Sequence, residues 1–131
     1  MKKSTFTLFL IISFLSVSLT AQQTVWLNEK LEKTTQDQAV YYKIGNNLEG
    51  EVTYFYKSRT IYRKVFFVEG KMGGNFYEYY NSGELREVGK CKNGRREGNW
   101  KEYYRNGKIR KKGGYRNGKK VGVWKVFYKN D

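Results

Sequence analysis

Histidine and proline are missing from the 131 residues, and cysteine occurs once. Without histidine there is no Ser-His-Asp triad, no Cys-His pair and no His-ligated metal site. A lone cysteine excludes an internal disulfide framework and a Cys-cluster zinc site. Carboxylates are scarce, with 12 Asp+Glu against 26 Lys+Arg. Aromatic residues, by contrast, make up 18% of the chain, far too many for a disordered basic tail. The composition predicts one small, folded, basic domain with a binding or structural role rather than a catalytic one, and it implies no metal or cofactor.

The only long apolar run lies at the start. Lys2 and Lys3 precede a mostly apolar stretch from Phe6 to Val17, and Ser18-Leu19-Thr20-Ala21 then supplies small residues for cleavage before Gln22. This is the pattern of a secretory signal peptide over 1–21, too short and too interrupted by serine for a membrane span. It predicts export to the periplasm, the cell envelope or the outside of a bacterium. The charge beyond it is uneven. Residues 22–81 carry 8 basic and 7 acidic side chains, whereas residues 82–131 carry 16 and 5. A half that basic points to an anionic partner or surface, although lysines also serve simply to keep sheet edges apart.

A repeat of 24 residues organises the rest. Gly50, Gly74, Gly98 and Gly122 share that spacing, as do Val52, Phe76, Trp100 and Trp124, and Tyr56, Tyr80, Tyr104 and Tyr128. Further columns are Phe55, Tyr79, Tyr103 and Phe127; Ile61, Leu85 and Ile109; Val65, Gly89 and Gly113; and Phe67, Cys91 and Tyr115. Each unit reads as a β-hairpin. Asn106-Gly107 suits a two-residue type I′ turn, in which both positions need φ > 0. That turn predicts Tyr104 opposite Ile109, Tyr103 opposite Arg110, Glu102 opposite Lys111, and Trp100 opposite and covering Gly113. Likewise Ser82-Gly83 sets Tyr80 against Leu85, Phe76 against Gly89 and Glu78 against Glu87. Around Ser58-Arg59, Tyr56 faces Ile61, Phe55 faces Tyr62 and Val52 faces Val65, in a turn expected to be wider because Arg59 stands where glycine is expected. Asn93-Gly94 and Asn117-Gly118 link successive hairpins. The expected fold is all-β: stacked antiparallel hairpin repeats in an elongated, open, single-layer meander, with units at 46–69, 70–93, 94–117 and a partial 118–131. Residues 22–45 form a capping segment, with a strand over Thr24 to Leu27 whose Trp26 covers the end of the array, a helical turn at Thr35-x-x-Gln38, and a strand over Val40 to Ile44.

Alternation along strands puts Trp100, Tyr104, Ile109 and Tyr115 on a core face, with Glu102 and Lys111. Lys101, Tyr103, Arg105, Arg110, Lys112 and Arg116 fall on the other, basic and aromatic, face, the candidate binding surface. Cys91, in a core column, is expected to pack as a small hydrophobe. Glu78 and Glu102 are expected to pair with cations rather than to perform acid–base chemistry.

The pattern Gly-x-Trp-x-x-Tyr-Tyr-x-Asn-Gly-x-hydrophobic, then Gly-x-Tyr-x-Asn-Gly, stands here as Gly98, Trp100, Tyr103, Tyr104, Asn106, Gly107, Ile109, Gly113, Tyr115, Asn117 and Gly118. It resembles the MORN-type repeat, and more closely the shorter variant of bacterial YwqK-family antitoxins. The resemblance covers roughly residues 46–131 and implies stacked β-hairpins. It also implies protein scaffolding or membrane tethering, or, from the antitoxin name, neutralisation of a partner toxin by direct binding in the cytoplasm. The export signal departs from that last role. The functional expectation is therefore a non-enzymatic exported repeat protein that binds a protein partner or an anionic envelope component, lipid or glycan, through its basic face. Export makes nucleic acid an unfavoured ligand.

Overall fold

The computed structural model describes residue 2 and residues 21–129, so the segment read as a signal peptide lies almost wholly outside the described residues. Among the described residues nine antiparallel strands follow one another in a single open sheet, each paired with its sequence neighbours. They are β1 (Thr24–Leu27), β2 (Tyr41–Ile44), β3 (Gly50–Tyr56), β4 (Ile61–Val68), β5 (Lys71–Tyr79), β6 (Leu85–Lys92), β7 (Arg95–Tyr103), β8 (Ile109–Arg116) and β9 (Lys119–Val126). The meander of hairpins expected from the repeat is the fold observed.

Two kinds of turn alternate along it. Glu69-Gly70, Asn93-Gly94 and Asn117-Gly118 have φ > 0 at both positions and close two-residue hairpins between Val68 and Lys71, Lys92 and Arg95, and Arg116 and Lys119. These are the type I′ links. The turns within each unit are different and overturn the expected two-residue closure. In the third, Gly107 N–H donates to Tyr104 O and Tyr104 N–H donates to Lys108 O, each at 2.9 Å, and only Gly107 has positive φ. This is a three-residue loop: a type I turn followed by a left-handed residue that bulges the returning strand. The same pair of bonds closes the loop from Tyr80 to Glu84 and that from Tyr56 to Thr60. The first loop is wider than two residues, as expected, but the other two are equally wide, so Arg59 is not the cause. It takes the left-handed conformation itself, at φ 75°.

The bulge shifts pairing by one residue near each turn. Glu102–Lys111, Trp100–Gly113, Glu78–Glu87, Phe76–Gly89 and Val52–Val65 pair as expected. Nearer the turns Tyr103 faces Ile109, Tyr79 faces Leu85 and Phe55 faces Ile61, in place of the partners set by a two-residue turn. Ile61, Leu85 and Ile109 consequently stay outside the core cluster, contrary to the expected core stripe.

One face holds that cluster: Val25, Leu27, Val52, Tyr54, Tyr62, Val65, Phe67, Phe76, Cys91 and Trp100. Burial raises the Cys91 thiol pKa, as suits a packed, unreactive side chain. Successive units are fastened by tyrosine. The hydroxyl of Tyr56 donates to Tyr79 O at 2.6 Å, that of Tyr80 to Tyr103 O at 2.7 Å and that of Tyr104 to Phe127 O at 2.7 Å. At the N-terminal edge, residues 28–39 fold back along β1. Lys33 bridges to Leu27, and Thr34 N–H donates to Trp26 O at 3.0 Å. Two details of the cap differ from expectation. Trp26 packs on Tyr42, which stacks on Phe55, while Val25 and Leu27 supply the buried contacts. Thr35 to Ala39 makes two overlapping i→i+3 turns instead of a helical turn, because only Gln38 and Ala39 find carbonyl partners there.

Candidate functional site

Glycines at the start of each repeat shape the face opposite the core. Gly98 and Gly122 are left-handed, at φ 73° and 66°. Here the chain accommodates extra residues: Gly98, Asn99 and Trp100 stand opposite the single residue Gly89, and Gly122, Val123 and Trp124 opposite Gly113. The extra residues drive each indole back over the preceding strand. A methyl group at Gly89 would overlap the ring of Trp100, and one at Gly113 that of Trp124. Trp100 thus covers Gly89 and not Gly113, the glycine expected from register alone. Its Nε1 donates to Lys90 O at 3.1 Å, and Trp124 repeats the bond to Gly114 O at 3.2 Å. Each tryptophan closes onto the unit before its own.

On the other face the same distortion leaves a shallow groove per unit. The first is lined by Asn75, Tyr77, Val88, Gly89, Lys90, Glu97, Gly98, Asn99, Lys101 and Tyr103. The second has the positions 24 residues later, among them Asn99, Lys101, Lys112, Gly113, Gly114 and Lys125. Asn99 and Lys101 line both, so the grooves adjoin. The second contains three lysines and no carboxylate. The first has one carboxylate, Glu97, which accepts a hydrogen bond from Asn117 N–H at 2.9 Å.

The six candidate residues divide. Lys101 and Lys112 are cross-strand partners in this groove, and Tyr103 lines the neighbouring one. Arg110 sits on the bulge and turns to the core face, with its guanidinium 4.0 Å from Glu102 and 5.9 Å from the Tyr104 ring. Arg105 lies 5.2 Å from the Tyr80 ring. Arg116, next to the Asn117-Gly118 turn, lines neither groove. Lys125, Lys90 and Asn99 were not singled out from the sequence. The signal for Lys125 was present in the column Tyr77, Lys101 and Lys125, and alternation from Cys91 already turned Lys90 to this face, whereas Asn99 enters the groove as one of the extra residues opposite Gly89.

The core face, meanwhile, is laced with ions. Glu78, only 5% exposed, accepts from Arg63 Nε at 2.7 Å and lies 3.6 Å from Arg86. Glu87 is gripped by Arg96, whose guanidinium rests 4.2 Å from the Trp100 ring. Burial opposes the charge on Arg96, but Glu87, with a smaller contribution from Tyr115, more than offsets it and holds its pKa up. The like-charged Glu78–Glu87 pair is tolerated because each carboxylate has its own arginine. Glu102 lies 4.0 Å from both Arg110 and Lys111. One unit on, Lys120 takes the place of Arg96 and Lys111 that of Glu87. The proximity of Lys111 depresses the Lys120 pKa. Among the described residues no cluster suitable for a metal occurs.

No curated protein matches the chain. Residues 96–117, from the Arg96 ion pair to the Asn117 turn, match the family described as MORN repeat variant. The neighbouring units reproduce the matched one in hairpin register, in turn geometry and in the tyrosine-to-carbonyl bonds, so that residues 96–117 form one MORN-type repeat within an array of similar hairpins.

Proposed function

We propose that this is a non-enzymatic, exported binding protein that holds an anionic group of a protein partner or of the cell envelope on the face opposite its core. The observation that carries the reading is the groove of Lys101, Lys112 and Lys125, three lysines over glycine backbone with no carboxylate to neutralise them. Charge so placed raises the local concentration of anions and is screened by salt. The carboxylates of the core face are engaged by arginine and lysine, which leaves them occupied with structure rather than chemistry. The segment before Gln22 supports export.

The test is fractionation of host cells expressing the wild type or the triple variant Lys101→Glu, Lys112→Glu, Lys125→Glu, with the intact mass of the recovered chain. A mature wild type beginning near Gln22, bound to the envelope and released by salt, is expected. The triple variant should be soluble with an unchanged thermal midpoint. Equal envelope binding by both proteins would discard the face. A full-length chain in the cytosol would discard export and put the YwqK-type antitoxin reading in its place.

A further inference from the structure

Resting on that reading, the geometry points to a specific occupant: we propose that the two adjoining grooves form one site for a linear acidic glycan with one carboxylate or sulfate per disaccharide. The grooves are copies of one construction, related by one repeat and therefore by two strands. Strands lie about 4.8 Å apart, so Lys101 and Lys125, the one pair of groove lysines at equivalent positions, stand about 10 Å from each other across the sheet. A disaccharide unit of a linear glycan is comparable in length. A strand-like acidic peptide presents side chains on one face about every 7 Å, which does not keep step. A bilayer is flat and does not enter a trough.

Aromatic and small residues complete the match. Tyr77 and Tyr103 line the first groove beside Lys90 and Lys101. A phenol ring next to an ammonium group suits a sugar, whose apolar C–H face packs on the ring while its acidic substituent meets the cation. Lys101 and Asn99 line both grooves, so a chain that leaves the first meets the second across those two side chains. In the second, Lys112 and Lys125 join Lys101 over Gly113 and Gly114. The trough ends upstream for a visible reason. Position 66 carries phenylalanine where the later units carry Lys90 and Gly114, and its side chain packs on Gly74, with its Cβ 3.0 Å from where a methyl there would sit. Two grooves therefore suit a ligand of two charges.

The experiment titrates the mature chain with hyaluronan oligosaccharides of increasing length, with polyglutamate matched in charge, and with phosphatidylglycerol vesicles. Affinity for hyaluronan should rise by about tenfold from disaccharide to tetrasaccharide, as the second charge engages a tethered second groove, and level off beyond the tetrasaccharide. Lys125→Ala and Lys90→Ala should each abolish that length gain while leaving the thermal midpoint unchanged. Lys129→Ala, outside both grooves, should leave the gain intact. Equal affinity for polyglutamate and hyaluronan at matched charge, or preference for vesicles, would overturn the glycan site while leaving an anion-binding face. Absence of salt-sensitive binding to all three probes would overturn both.

Discussion

Strands β3–β5 and β7–β9 are built on the same columns, yet the first set buries Val52, Tyr54, Tyr62, Val65, Phe67 and Phe76 and the second buries Trp100 alone. Where the early units place Val65 and Phe66, the later ones place Gly89 and Lys90, then Gly113 and Gly114. The column that begins with Tyr54 continues as Glu78, Glu102 and Val126. Each exchange removes apolar volume from the late units and most add positive charge or bare backbone. Because neighbours in a linear array supply most of one another's stability, the well-packed half can support a half that is poor in core and rich in lysine. One repeat thus serves as foundation at one end and as display surface at the other.

The sharpest way to break this comparison is to truncate equivalent tryptophans. Trp100→Ala should cost about 3–5 kcal/mol, since the ring is 2% exposed, roofs Gly89 and carries Arg96. Trp124→Ala should cost roughly 1–2 kcal/mol, because that ring is only partly buried. Urea denaturation of the two variants reads the difference, and equal losses would mean that the last unit is as integral as the third. A smaller contrast lies in the carboxylate column. Glu78→Gln should destabilise by about 2–3 kcal/mol, leaving Arg63 without its charge partner at a nearly sealed position. Glu102→Gln, on a carboxylate with 26% of its side-chain surface exposed, should cost less than about 1 kcal/mol. Thermal midpoints at low and high salt separate the two, with only the second effect fading in salt. The smallest effect has the opposite sign. Arg59→Gly relieves a left-handed arginine at the position that Gly83 and Gly107 occupy in later units, and should stabilise by about 1 kcal/mol. An unchanged denaturation midpoint would show that the loop already absorbs the strain.

Strand order, the pairing of Trp100 with Gly113 and the Glu102–Lys111 contact were legible because they depend only on a period of 24 and on alternation. What escaped sequence reading depends on local departures from alternation. Asn-Gly fits a two-residue turn and also the last two positions of a three-residue loop, and the dipeptide at 106–107 does not distinguish them. That one-residue difference turned Arg110 from the groove side to Glu102. Likewise nothing in the column of glycines announced that Gly98 is left-handed while Gly74 is not. This conformation moves Trp100 over Gly89 and opens the trough beside Asn99. Lysines of the site could be counted in advance, but which of them meet was decided by bulges.

The tyrosine bonds that join each unit to the next span 23 residues in every case, from Tyr56, Tyr80 and Tyr104 alike. Because donor and acceptor belong to equivalent positions, the length of such a chain is quantised. Duplication of the unit 94–117 returns every tyrosine to a carbonyl and every tryptophan to a glycine, whereas loss of 70–93 would set Trp100 over Val65. A single-residue deletion inside a strand turns the following side chains of that strand to the opposite face and misaligns these bonds. Change by internal duplication is therefore mechanically gentle, and each added copy would lengthen the display surface without the invention of a new fold.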